Sequence, residues 1–385
     1  MTLTSCLIDT DALGHNIRAL RALVGPGALL APTVKSNAYG HGLGLASRAF
    51  LAAGADWLCV NAVNEAQILR DEGIVAPIYI LGYVGLDEIE QAMALGCDAV
   101  IYNAETLEKA VSVHALTGLV ARFHVKLETG NNRQGLREEE AMALAERIQA
   151  SEGAELVGVA SHFANVEDTT DHRFAEGQLA RFAAFCRRLE ARGISAPIKH
   201  MSNSAATILW PDRCQDMARA GVAAYGMWPS SETLVAAVLA GRRRLELRPA
   251  LTWRCRIAQV KDVAAGEFIG YGCSFRTTHP TRMAILPVGY YDGYDRGLSN
   301  VAHVLIEGQR APVLGRVCMN ITMVDVTDIP GARLEGEAVL LGRSGEEVIT
   351  AEQMAGWANT INYEVTTRIN DRIPRVAVSG QGSGG

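Results

Sequence analysis

A parallel, TIM-like (β/α)8 barrel followed by a smaller, mainly β domain is the α/β fold this sequence predicts, on three observations. Short apolar runs alternate with amphipathic helical stretches up to about residue 240. These make roughly eight strand–helix units, the number a closed parallel barrel requires. From about residue 245 the pattern changes to short alternating runs separated by glycine turns, the signature of a mainly β domain.

The elements follow in order. An opening strand at 5–8 leads into a helix capped near Asp9 or Thr10. Barrel strands are expected near 28–34, 56–61, 77–82, 98–102, 122–127, 155–161, 197–202 and 216–221. Between them, 62–72, 105–116, 137–149 and 174–192 place apolar residues at three- and four-residue spacing, as helices do. Further on, 251–260, 283–288, 301–306 and 337–341 read as strands, and Asn359 onward adds a helix or loop and a closing strand. The expected boundaries are therefore 9–240 for the barrel, 1–8 with 241–378 for the β domain, and 379–385 for a tail that is flexible by composition.

With 385 residues, 49% of them hydrophobic, the chain can hold two or three domains with sizeable cores. A net charge of -6 and a pI near 5.9 give no electrostatic reason to expect nucleic acid or an anionic membrane as partner. The basic run Arg242-Arg243-Arg244 reads as a solvated face or linker. Eight scattered cysteines without a C-x-x-C pair, and nine histidines without ligand spacing, predict reduced thiols in a cytoplasm and no metal. The start of the chain has no basic-then-apolar leader, and no apolar run approaches bilayer length, so neither export nor membrane insertion is expected.

The chemistry begins at Lys35. It ends the apolar run 28–34 and precedes Ser36-Asn37-Ala38-Tyr39-Gly40-His41-Gly42, which breaks regular structure. This puts a lysine at the C-terminal lip of a parallel strand, where such barrels bind ligands. Desolvation there lowers the amine's pKa toward the neutral form that condenses with carbonyls. A lone lysine at a strand end would ordinarily snorkel to solvent. Here the nine residues 34–42 resemble the cofactor-lysine signature of alanine racemases, fold-type III enzymes that use pyridoxal 5′-phosphate.

Five further motifs, in the same order along the chain, carry the resemblance. Ala218-Arg219-Ala220-Gly221-Val222 resembles the segment whose Gly221 and Val222 N–H groups bind the cofactor phosphate, joined by Ser204, Tyr39 and Tyr363. Arg219 matches the arginine facing the pyridine nitrogen; a group that keeps its proton leaves that nitrogen largely unprotonated. Ser161-His162-Phe163 resembles the segment whose histidine hydrogen-bonds that arginine. Gly270-Tyr271-Gly272 resembles the loop that donates a second base, Tyr271, from a partner subunit, which implies a homodimer with shared active sites. Lys126-Leu127-Glu128-Thr129-Gly130-Asn131-Asn132-Arg133 keeps the spacing of a motif with a carbamylated lysine, Lys126, and a substrate-contacting arginine, Arg133. It departs at Glu128, usually Asp, and at Asn131-Asn132, where Met-Gly or Met-His is usual. Gly315-Arg316-Val317-Cys318-Met319-Asn320 resembles the loop whose Met319 N–H meets the substrate carboxylate, with Asn320 where Asp is common. Tyr290 and Tyr363 resemble the tyrosines that narrow the entrance, which favours a small side chain.

The resemblance implies interconversion of L- and D-alanine through a pyridoxal phosphate aldimine, with Lys35 and Tyr271 as the two bases, supplying D-alanine for peptidoglycan. A racemase of serine or lysine on the same scaffold is the alternative that the motif departures leave open. A non-catalytic pyridoxal phosphate-binding protein is a further one, although single-domain relatives of that kind lack the second domain.

Overall fold

The computed structural model describes residues 2–242 and 245–380. Residues 381–385 of the expected tail, and Arg243 and Arg244 of the basic run, lie outside the described residues. The chain divides into two units: Ala12–Ala38 with Leu43–Arg248, and Met1–Asp11 with Tyr39–Gly42 and Pro249–Gly385. Strand β1 (Thr4–Asp9) belongs to the second unit.

The next eight strands build the first unit. They are β2 (Leu29–Leu30), β3 (Leu58–Val60), β4 (Ile78–Ile80), β5 (Asp98–Ile101), β6 (Ala121–Lys126), β7 (Ala154–Ala160), β8 (Ile198–His200) and β9 (Met217–Ala218). Strands β3 to β8 pair in parallel in chain order, and β2 pairs in parallel with β9. Two irregular joins complete the ring. Cys59 bridges Thr33 beside β2 and β3, and Asp216 N–H donates to Lys199 O at 3.0 Å between β9 and β8. Six of the eight strands fall within the ranges read from the sequence, and β6 and β7 each begin one residue before theirs; strands buried on both faces appear as short unbroken apolar runs. Helices Val63–Asp71, Ala104–Thr117, Glu138–Gln149 and Arg173–Ala191 likewise match their periodic stretches.

Part of the barrel interior is apolar, with Ala31, Trp57, Cys59, Tyr79, Val100 and Met217 buried together. Another part is polar, and a glycine makes room for it. Gly158 stands opposite His124 on β7, where a Cβ would lie 2.6 Å from the imidazole and 2.3 Å from Ile198 O.

In the second unit β1 runs antiparallel to Leu251–Arg256 and parallel to the closing strand Arg375–Val378. Leu251, Trp253 and Cys255 face inward at alternate positions, and Trp253 packs edge-on against the buried Tyr294. The run expected as one strand at 251–260 is two. Leu251–Arg256 lies in the large sheet, and the chain then turns at Ile257 and Ala258 to form Gln259–Val263 in a second, three-stranded sheet. Periodicity cannot report a change of sheet, because both halves alternate alike. Tyr39–Gly42, inside the stretch read as barrel, groups with this unit, where Gly40 O accepts from Arg375 Nε at 2.9 Å.

Candidate active site

Lys35 follows β2 at the C-terminal lip of the barrel, and the turn after it is unusual. Ser36, Asn37 and Ala38 have φ/ψ of 54/55°, 53/44° and 53/54°, and Tyr39 continues with φ 53°. This is a left-handed helical turn made without glycine. At about 1–2 kcal/mol for each L-residue held there, the four cost about 4–8 kcal/mol. Specific bonds offset that cost: Ala38 N–H donates to Val34 O at 2.8 Å, Leu43 N–H to Asn37 Oδ1 at 2.8 Å, and Ser36 N–H to Glu65 Oε1 at 2.6 Å. Burial lowers the Lys35 amine below the usual lysine range, the Arg133 charge lowers it further, and Glu65 and Cys59 oppose the shift.

Lys126 ends β6, buried, and is held well below the ordinary lysine range by desolvation first and then by Arg219 and Arg133. The exposed Arg133 stands in the loop that follows, where Asn132 has φ 53°. Thr129, Ser161 and Gln178 brace this loop from inside: Thr129 Oγ1 is 2.8 Å from Ser161 Oγ and accepts from Gln178 Nε2 at 3.2 Å.

Arg219 lies just beyond β9, buried. Its Nη2 donates to Ser161 O at 2.9 Å and to Met201 O at 3.3 Å. The expected histidine partner is at hand, and a second one lies closer. His162 Nδ1 is 3.5 Å from Nη2, the limit of a hydrogen bond, whereas Nη1 makes a close contact with His200 Nδ1. His200 continues inward, its Nε2 2.8 Å from His124 Nδ1, and His124 Nε2 is 3.1 Å from Asp98 Oδ2. Asp98 Oδ1 accepts from Arg122 Nε at 2.7 Å. A guanidinium only donates and a carboxylate only accepts, so the proton order is fixed from both ends. His124 carries its proton on Nε2, His200 carries its own on Nε2, and His200 Nδ1 presents a lone pair to Arg219. The sequence signal for this chain was present. Asp98 opens a strand whose four residues are all buried, and His124 lies two residues before Lys126, hence on the same face of β6.

Ser204 and Gly221 meet as the sequence suggests, with one refinement. Ser204 Oγ accepts from Gly221 N–H at 2.8 Å and from Ala223 N–H at 3.2 Å, so Gly221 is engaged within the chain. With both lone pairs of Ser204 used, its own hydrogen is left to donate to a ligand. Val222 opens the short 3-10 turn Val222–Tyr225, where an N–H has no acceptor within its own turn. Two donors without an opposing acid fit a phosphate. So does the excess charge: Lys35, Lys126, Arg133 and Arg219 depress one another or His162, whose imidazole is held well below its ordinary value by burial and then by these four.

The remaining expected residues lie in the second unit. Tyr39 is buried, its ring centroid 6.0 Å from that of Tyr363. Tyr290 N–H donates to Cys318 O at 3.0 Å and Tyr291 N–H to Met319 O at 2.9 Å, zipping the Tyr290 turn to the Met319 loop. Gly289 permits that approach, since a Cβ there would sit 2.1 Å from Cys318 O. Asn320 Nδ2 donates to Asp292 Oδ2 at 3.2 Å, a contact that an Asp at 320 would turn into facing carboxylates. Tyr271 stands 73% exposed at the tip of the hairpin formed by Phe268–Ile269 and Phe275–Arg276. The flanking Gly270 and Gly272 pack that loop against Met323 and Arg316.

Residues 8–229 match the family described as alanine racemase, N-terminal domain, and residues 250–377 the alanine racemase, C-terminal domain. The chain is 40% identical over 368 residues to the alanine racemase of Symbiobacterium thermophilum, covering 96% of this chain and 95% of that one. Against the alanine racemase of Desulfovibrio desulfuricans it is 38% identical over 371 residues, covering 96% and 97%. Among solved structures it resembles alanine racemase from D-cycloserine producing Streptomyces lavendulae, with TM-score 0.91 and 35% identity over 99% of this chain and 98% of that one. It also resembles alanine racemase from Clostridium difficile 630, with TM-score 0.93 and 32% identity over 99% and 97%.

Proposed function

Because the chain belongs to the alanine racemase family, an isomerase family, across both of its domains, we propose that it interconverts L- and D-alanine with pyridoxal 5′-phosphate as cofactor. The observations that carry this reading are the four basic side chains Lys35, Lys126, Arg133 and Arg219, which act on one another or on His162, and two donors with no acid opposite them, Ser204 Oγ and Val222 N–H. The bound cofactor would supply a conjugated ring that accepts the electron pair left when the Cα–H bond breaks.

The chain's own groups do the rest. Lys35 anchors the cofactor through its amine, then takes or returns the Cα proton on one face. Tyr271, supplied by a second copy of the chain, exchanges the proton on the other face, as inversion requires. Its exposure in the hairpin suits donation to a neighbour, and a homodimer is the working unit on this reading. Arg219 points a fixed donor at the ring nitrogen, and His162 packs beside it. Ser204, Gly221, Val222, Tyr39 and Tyr363 hold or frame the phosphate. Arg133 and the Met319 N–H receive the substrate carboxylate, and Tyr290 and Tyr363 narrow the throat. Lys126, its amine held well below the ordinary lysine range by burial, is suited to add carbon dioxide in its neutral form and release a proton; the resulting carbamate anion would carry a charge opposite to that of Arg133. Intact mass of the native protein reads that adduct directly. In a cytoplasm such an enzyme would supply D-alanine to peptidoglycan; among the described residues no helix is long and apolar enough to cross a membrane.

The test is a chiral assay of the purified protein with pyridoxal 5′-phosphate against L-alanine, L-serine and L-lysine. Alanine is expected to racemise fastest. Preference for serine or lysine would keep the mechanism and overturn the substrate, a second reading that the Asn320–Asp292 contact favours because it alters the carboxylate loop. Cofactor bound without turnover of any amino acid would leave only a binding protein.

A further inference from the structure

One clamp on the turn after Lys35 has no part in the chemistry above. Glu65 lies in the first turn of helix Val63–Asp71, three residues after the N-cap Ala62. A glutamate there commonly reaches back to the N–H of its own cap residue. Glu65 reaches further in two directions instead. Its Oε2 accepts from Asn61 N–H, just beyond β3, at 2.7 Å, and its Oε1 accepts from Ser36 N–H at 2.6 Å. A single carboxylate thereby ties the residue after Lys35 to the end of the neighbouring barrel strand. Ser36 is also the first of the left-handed residues, so the bond falls where the backbone departs from its ordinary region.

We propose that Glu65 is a positioning residue for Lys35, holding the left-handed turn that aims the lysine side chain and setting a negative charge beside its amine. The proposal rests on the racemase reading for the role of Lys35, but the clamp itself is a property of the chain. The charged and titratable groups acting on Lys35 are Arg133 from the loop after β6, Glu65 from its helix and Cys59 from β3; His162, after β7, in turn feels the lysine's charge. Glu65 is the carboxylate among them, so removing its charge lowers the amine's pKa further and moves its titration to lower pH.

Glu65→Gln keeps the shape but leaves one acceptor oxygen for two N–H donors, with an NH2 facing the other. In protein free of cofactor, hydrogen exchange at the amides of 36–39 is expected to quicken about tenfold, as loss of a charge-assisted bond would give. Loading of pyridoxal 5′-phosphate onto Lys35, read by intact mass after borohydride reduction, is expected to slow by a similar factor, and the pH midpoint of loading to fall. Adding Ser36→Gly to Glu65→Gln should recover most of the loading rate, because glycine adopts positive φ without steric cost. Exchange and loading within twofold of the parent would overturn the proposal. So would a loss that Ser36→Gly leaves untouched, which is what a helix cap alone would produce. If the parent itself fails to load at Lys35, the racemase reading falls, and the exchange arm still decides the clamp.

Discussion

Lys35→Ala is expected to lower kcat/KM for alanine by about 10⁴-fold or more, equivalent to about 5.5 kcal/mol of transition-state stabilisation, because one residue carries both cofactor anchoring and one of the two proton transfers. Exchange of the alanine α-proton with solvent should fall in parallel, and borohydride reduction should leave no cofactor-linked protein. Retained racemisation within tenfold of the parent would sink the assignment. The same variant carries a second expectation of opposite sign. Lys35 is a half-buried amine whose charge desolvation and Arg133 both work against. Removing it from the cofactor-free protein should therefore leave the midpoint of urea unfolding unchanged or raised. A catalytic group held at the expense of stability behaves this way, whereas a lysine kept for structure would destabilise on removal.

What was legible in the sequence is what burial writes into composition. The barrel strands appear as short apolar runs, and Lys35 and Arg219 stand out because each is a cation at the end of one. The turn after Lys35 was not legible as a left-handed helix. Ser36, Ala38 and Tyr39 seldom adopt positive φ, and only Asn37 belongs to a type that does so readily. The choice between His162 and His200 as the close partner of Arg219 was hidden for a different reason. Both lie at barrel strand ends, and which one meets the guanidinium depends on pleat and register rather than on spacing. Register also brings Asp98 and His124 together. They are 26 residues apart, on neighbouring strands where Asp98 pairs with Arg122 and Val100 with His124, so a carboxylate at one rung faces an imidazole at the next. Glu65 carried a faint signal, a carboxylate three residues into a helix, whose ordinary meaning is a cap.

Asp98→Asn tests the buried chain that ends at Arg219. If the amide oxygen stays on Arg122, the NH2 must face His124 Nε2, which forces the His124 proton to Nδ1 and the His200 proton to Nδ1, opposite the guanidinium N–H. If the amide is turned the other way, its NH2 faces Arg122 instead. One donor pair is frustrated in either case. The expected loss is about 3–5 kcal/mol, the range for breaking a buried charged network by altering one partner. Urea midpoints measure the loss, and ring-nitrogen NMR shifts of His124 and His200 distinguish the reversed proton order from simple loosening. Unchanged shifts together with parental stability would mean that Asp98 does not order the chain. The same histidines set a pH dependence whose sign is fixed. Burial, the leading cause, pushes His124 below the ordinary imidazole value and His162 and His200 well below it. The unfolded chain therefore binds protons that the folded chain refuses once the pH drops below about 6.5. Their contribution is complete above that value and is lost as the pH falls through it toward the lower folded values. Between pH 7.5 and 5.5 the stability of the cofactor-free protein should therefore fall, by at most about 4 kcal/mol for three imidazoles. Lys126, whose amine burial also holds well below its ordinary value, couples to stability with the same sign. A stability profile that is flat across this window would show that the histidines take up protons without unfolding, and the fixed proton order leading to Arg219 could not then hold.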